Sequence, residues 1–181
     1  MDLIAALSLL LVQAGPLAEY YKFEADTTWT YKRVEGKSER KIVAKVTKEE
    51  AAKIELDWRE LDKDGSLKKS STVTWSIVEG ILTVSAKDDD TTLTFPLLKE
   101  GSKKGDAWTC DVGDFTHQGT VEVKVPAGTY KDAVRTQLKI PEDAKIDFYV
   151  VPKVGLVKIE IHESNGDPNL FELAEFKPAK K

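Results

Sequence analysis

Cysteine, histidine and methionine are almost missing from this chain of 181 residues, which has one cysteine (Cys110), two histidines (His117 and His162) and one methionine (Met1). A lone cysteine forms no internal disulfide, so the fold is not a disulfide scaffold. So few sulfur and imidazole ligands leave no Cys/His zinc cluster. A Gly-x-Ser-x-Gly elbow is absent, and with it the most recognisable hydrolase nucleophile. An excess of one charge is absent too: 27 basic and 31 acidic side chains mix along every segment, for a formal net charge of −4. With no basic stripe there is no electrostatic footprint for nucleic acid. The longest apolar run, Leu3 to Val12, is too short to cross a bilayer as a helix.

What the chain does contain is alternation. Val73, Trp75 and Ile77 alternate with Thr72, Thr74 and Ser76, and Leu93, Phe95 and Leu97 with Thr92, Thr94 and Pro96. Val121, Val123 and Val125 alternate with Glu122 and Lys124, and Val157, Ile159 and Ile161 with Lys158 and Glu160. Period two buries one face of a strand and solvates the other, the pattern of antiparallel sheet. With 41% hydrophobic and 32% charged residues, a chain of this length can bury one self-sufficient core.

Turn signals cut the alternation into about ten to twelve strands at spacings of roughly 8–12 residues. They include Gly36-Lys37, Asp64-Gly65, Glu79-Gly80, Asp88-Asp89-Asp90, Pro126-Ala127-Gly128, Pro141-Glu142-Asp143 and Asn165-Gly166-Asp167-Pro168. Asp64-Gly65 reads as a primed hairpin turn, and Gly128 as a position of positive φ. Phe115 to Gly119 reads as a hairpin connection, and Lys48 to Ala52 as the only helical turn after Gly15. Pro96 belongs on an edge or at a strand end, because it has no N–H for a ladder. The expected fold class is all-β: a single meandering antiparallel sheet, strongly curved into a half-barrel or barrel, with a sandwich as the alternative.

At the N-terminus, Leu3 to Val12 is followed by Val12-Gln13-Ala14 and Gly15, which fits a signal peptide cleaved after Ala14. The n-region, Met1-Asp2, has no basic residue, and an apolar helix packed on the sheet is the alternative. The expected organisation is a signal peptide over 1–14, an aromatic lead over 15–26, one all-β domain over 27–177 and a polar tail over 178–181.

Several segments in order carry a resemblance. They are Tyr20-Tyr21 with Trp29-Thr30-Tyr31, then Pro96-Leu97-Leu98 with Gly105 and Trp108, then Val125-Pro126-Ala127-Gly128-Thr129-Tyr130, and last Phe148-Tyr149 with Val154-Gly155-Leu156-Val157-Lys158. Their order resembles an uncharacterised family of secreted bacterial all-β proteins, a domain-of-unknown-function group. The resemblance implies an envelope or extracellular setting and a curved antiparallel sheet, and it supplies no catalytic residues. The expected shape is distantly similar to half-barrel lipoprotein carriers, although this chain lacks the amphipathic helices that fill their cavity.

Few residues carry chemistry. His117 and His162 read as surface histidines and Cys110 as a buried, inert thiol. Glu60-x-Asp62-x-Asp64-Gly65 imitates the start of a calcium loop, but Ser71 stands where the closing Glu belongs and Lys68 where a ligand or water should sit. No metal site and no cofactor are expected. The positive clue is aromatic: Trp29, Trp58, Trp75 and Trp108, with Tyr31, Tyr130 and Phe148. Such side chains fill the cores of β proteins, and on a concave face Trp29, Trp75, Trp108 and Tyr130 would instead line an apolar ligand site.

The functional expectation is therefore an exported, non-catalytic binding or scaffold module of the cell envelope. Its partner would be an envelope protein or a small apolar ligand, and a bare edge strand would permit self-association. One alternative is a carrier of a small apolar ligand on the aromatic face. The other is a hydrolase using carboxylates from separate strands, such as Asp111, Asp114 and Glu122.

Overall fold

The computed structural model describes residues 17–88, 91–140, 144–163 and 168–180. The proposed signal peptide, Asp89-Asp90, Pro141 to Asp143 and Asn165 to Asp167 lie outside the described residues. Among the described residues, twelve strands follow one four-residue helix, α1 (Ala18–Tyr21): β1 (Thr28–Glu35), β2 (Ser38–Glu50), β3 (Lys53–Leu61), β4 (Leu67–Val78), β5 (Ile81–Asp88) and β6 (Thr91–Lys99), then β7 (Ala107–Cys110), β8 (Gly113–Val125), β9 (Gly128–Lys139), β10 (Lys145–Val151), β11 (Gly155–His162) and β12 (Asn169–Lys177).

All twelve form one antiparallel sheet in the order β6-β5-β4-β3-β2-β1-β12-β11-β10-β9-β8-β7, nearly closed into a barrel. The first and last strands pair at its centre, Trp29 opposite Phe176 and Arg33 opposite Phe171. The two edges are thus β6 and β7, which are consecutive in sequence but share no ladder. Side chains close this seam: the Trp108 indole N–H donates to the Pro96 carbonyl at 2.7 Å. Phe95 meets Phe148 with centroids 5.9 Å apart.

Alternation builds the core as the sequence implies. Ile42, Ile54, Leu82, Phe115, Leu138, Val157 and Leu173 are fully buried on the inner face. Strand ends alternate between the two ends of the barrel. One end is plugged by the aromatic lead, where Leu17, Ala18, Tyr21 and Phe23 are buried. This lead is tied down by Tyr21 Oη donating to the Ala51 carbonyl at 3.1 Å and by Lys153 N–H donating to the Glu19 carbonyl at 2.6 Å. Gly155 keeps the plug close: with φ at +86°, a Cβ here would stand 3.2 Å from the Phe23 ring. The long β8–β9 hairpin bends over the same end, and Ala127 N–H donates to the Leu173 carbonyl at 2.9 Å.

Three local expectations are corrected. Lys48 to Ala52 is not helical: β2 runs to Glu50 and turns at Ala51-Ala52, and the short helix lies instead at Ala18–Tyr21. Asp64-Gly65 is not a two-residue primed turn. The connection runs from Asp62 to Ser66, with positive φ at Gly65 alone and an Asp64 carboxylate that accepts from Ser66 N–H and Oγ–H. The primed turn is Glu79-Gly80, where both residues have positive φ, 50° and 73°. Phe115 to Gly119 is not a connection either. It lies inside β8, the turn falls earlier at Asp111-Val112, and Gly119 marks a register shift against β9.

Candidate functional site

The four aromatic candidates occupy three places. Trp29 and Trp75 share the plugged end. Trp29 is 3% exposed, donates its indole N–H to the Val154 carbonyl at 2.7 Å, and meets Phe23 edge-on at 4.8 Å. Tyr31, beside it on β1, stacks on Trp58 at 5.5 Å and donates to the Leu156 carbonyl at 2.9 Å. Among Phe23, Trp29, Tyr31, Trp58 and Trp75 the free space is about 10 Å³. That is room for about one water and no larger guest. Trp108 sits at the seam, stacked on Phe115, whose other neighbour is Phe148. Tyr130 is half-buried on the β8–β9 hairpin opposite Val123, close enough that its charge would be felt at Tyr31.

The richest polar chemistry lies on the outer face of β9–β12, where sequence reading placed only solvated alternates. Asp147, 1% exposed, accepts from Arg135 through both oxygens at 3.0 and 2.9 Å and from Gln137 at 3.1 Å. Its near neighbours are Glu160 and His162, and one ligand atom from each of the three lies within 4.8 Å of the others. The spacing would suit a small cation, and the carboxylates Asp147 and Glu160 also accept from protein donors. His162 Nε2 stands 3.4 Å from Asp147, Tyr149 Oη donates to Glu160 at 2.8 Å, and Lys158 lies 2.7 Å from Glu160 and 3.3 Å from Glu172. The cluster is an ion network of three carboxylates, Asp147, Glu160 and Glu172, with the cations Arg135 and Lys158. Register assembles it: Asp147 and Tyr149 sit opposite Glu160 and Lys158 between β10 and β11.

Electrostatics agree with that reading. Burial alone would raise the Glu160 carboxyl, but hydrogen bonds from Lys158 and Tyr149 outweigh it and hold it below the usual carboxylate range. Burial, and then the bond to Glu160, push the Tyr149 phenol far above its ordinary value, and burial does the same to Tyr31. In the unfolded chain these phenols ionise near pH ~10, whereas the folded protein keeps them protonated. The native state therefore holds protons that the unfolded state has released, and stability falls as pH rises beyond that point. Urea midpoints should drop steeply from pH 9 to 11, and Tyr31→Phe should flatten the drop; an unchanged slope would contradict the assignment.

A second charged group faces inward at the end away from the plug. Glu60 is held by Arg40 at 2.9 Å and Arg33 at 3.3 Å, and the Arg33 guanidinium covers the Phe171 ring at 5.0 Å. Glu60 is thus an internal counter-ion. His117 is buried inside β8, with Nδ1 3.1 Å from Ser102 Oγ, and so is not the surface residue expected. Cys110 is half-buried at the end of β7. The three carboxylates Asp111, Asp114 and Glu122 do not converge: Asp111 is in a turn, and Asp114 and Glu122 are eight residues apart on β8. At about 3.3 Å per residue that is roughly 26 Å.

No protein-family model and no curated protein matches this chain. Solved structures do share its fold. A lipoprotein candidate from Parabacteroides distasonis superposes with a TM-score of 0.63 at 14% identity, covering 85% of this chain and 96% of its own. A candidate exported protein with a YmcC-like fold from Bacteroides fragilis gives a TM-score of 0.60 at 14% identity, covering 86% and 97%. At that identity the likeness establishes the nearly closed all-β barrel alone.

Proposed function

We propose that this chain is an exported protein of the cell envelope that acts as a non-catalytic binding or scaffold module. The observation that carries this reading is the packed plugged end, where the cluster of Phe23, Trp29, Tyr31, Trp58 and Trp75 leaves about 10 Å³, too little there for an apolar guest. Work is then done by the outside of a stiff body and by its sheet edge. Export is supported by the Leu3 to Val12 run with Ala14-Gly15, by a segment order that resembles secreted bacterial β-proteins, and by the two similar folds, a lipoprotein candidate and an exported-protein candidate.

One preparation tests both halves. Protein recovered from the envelope fraction of an exporting host should begin at Gly15 and leave the fluorescence of an environment-sensitive apolar dye unchanged. Intact Met1 on most of the material would sink export. Near one-to-one dye binding that quenches tryptophan and is lost in Trp75→Ala, with circular dichroism intact, would replace the scaffold with the carrier on Trp29, Trp75, Trp108 and Tyr130.

A further inference from the structure

Natural sheet edges are protected by charge, proline, bulges or cover. The N-terminal half of β6 has none of these. Thr91, Thr92, Leu93 and Thr94 are all exposed, and Leu93 is 45% exposed although it alternates with the inward-facing Phe95. No charged residue occurs from Thr91 to Leu98, and the protective devices come only later, at Pro96 and at the register shift beyond it. β7, the other edge, is four residues long, and Trp108 hydrogen-bonds to β6 at Pro96.

The proline fixes which backbone groups are bare. In an antiparallel strand the N–H and C=O of a residue point to the same side and alternate along the chain. The Pro96 carbonyl points into the seam, where it accepts from Trp108. Pairing with β5 is unbroken from Thr91 to Pro96, so Thr92 and Thr94 also direct N–H and C=O into the seam. Among the described residues, the backbone bonds outside the regular ladders include none from either residue.

We propose that this half-strand pairs antiparallel with β6 of a second copy about a two-fold axis at Leu93, forming a weak symmetric dimer. Thr92 then exchanges both main-chain bonds with Thr94 of the partner, and Thr94 with Thr92, while Leu93 meets Leu93 as the close, non-bonded pair. The exposed leucine is buried against its own copy, and the strand is neutral, so nothing repels. Charge favours this direction: in sequence Asp88, Asp89 and Asp90 precede the strand, while Lys99, Lys103 and Lys104 with Glu100 and Asp106 follow it. Antiparallel pairing sets the acidic side of each copy beside the basic side of the other. The contact is short, which makes it weak and concentration-dependent. It goes beyond the scaffold reading and does not depend on export or on dye binding.

In sedimentation of the whole chain, the mass should rise toward twice the monomer with concentration and fall back in high salt. Leu93→Lys and Thr94→Pro should stay monomeric with unchanged circular dichroism, since Thr94 N–H takes no part in the β5 ladder. Register is read by oxidation in a Cys110→Ala background. Leu93→Cys should cross-link readily, because paired Cα atoms at about 4.5 Å lie within disulfide reach. Thr94→Cys alone should not, while a mixture of Thr92→Cys and Thr94→Cys should. A monomer at every concentration would overturn the dimer and leave the edge to a foreign strand. Equal cross-linking at positions 93 and 94, or a dimer indifferent to both substitutions, would overturn it as well.

Discussion

Gly113→Ala is expected to lower stability by about 2–5 kcal/mol, combining backbone strain with a steric clash. Gly113 follows the Asp111-Val112 turn and begins β8 with φ at +152°, beside the end of β9. A Cβ here would overlap the Lys139 carbonyl oxygen and come within 3.1 Å of the fully buried Leu138. The obstructing atom is backbone in a paired strand, so it cannot swing aside as a flexible side chain would. Gly128 provides the comparison, because its φ of +146° is nearly the same and nothing lies within 4 Å of its Cβ position. Gly128→Ala should therefore show only the conformational part, about 1–2 kcal/mol. Urea unfolding of both variants separates the effects, and equal midpoint shifts would mean that the contact with β9 does not matter.

The second large effect is expected at Trp29. Trp29→Ala removes the side chain that joins the plug to the barrel through Phe23, Phe176 and the Val154 carbonyl. Loss of a buried indole from a packed site costs about 3–5 kcal/mol, and the orphaned carbonyl adds to it. Trp29→Phe keeps most of the packing but deletes the N–H, and should cost about 1–2 kcal/mol. The reporter is the urea midpoint, together with proteolysis of the lead segment, which Trp29→Ala should make cleavable. A shift under about 1 kcal/mol for Trp29→Ala would show that the plug is held elsewhere.

These two sites differ in how far they could be read from sequence. Trp29 stands in a regular alternation with Tyr31, so its burial was legible, but the Val154 carbonyl it binds lies 125 residues away. Gly113 gave no usable sign. The Asp111-Val112-Gly113 turn competes with Phe115 to Gly119 as the connection, and local composition does not decide between them. Register does: pairing Cys110 with Gly113 and Phe115 with Leu138 buries Phe115 completely. His117 was misplaced by the same slip, since inside a strand it shares the inward face of Phe115.

The outer-face network was hidden for a related reason. Arg135, Asp147, Tyr149, Lys158 and Glu160 occupy three strands, and each reads locally as a solvated alternate. Only the register of β9, β10 and β11 sets Arg135 beside Tyr149 and Gln137 beside Asp147, which leaves a carboxylate 1% exposed on the outside of a sheet.

By itself the sequence determined the all-β class, the strand-rich meander, the inward position of the alternating apolar residues and the edge position of Pro96. These follow from period-two patterning and from a missing N–H, which are local properties of the chain. Tertiary structure alone decided that β1 pairs with β12, that the break in the barrel falls between the consecutive strands β6 and β7, and that Trp29 and Trp75 are buried at the plugged end. Those outcomes depend on how twelve twisted strands curl on one another and on which side chains then meet, and no short stretch of sequence encodes a contact between residues a hundred positions apart.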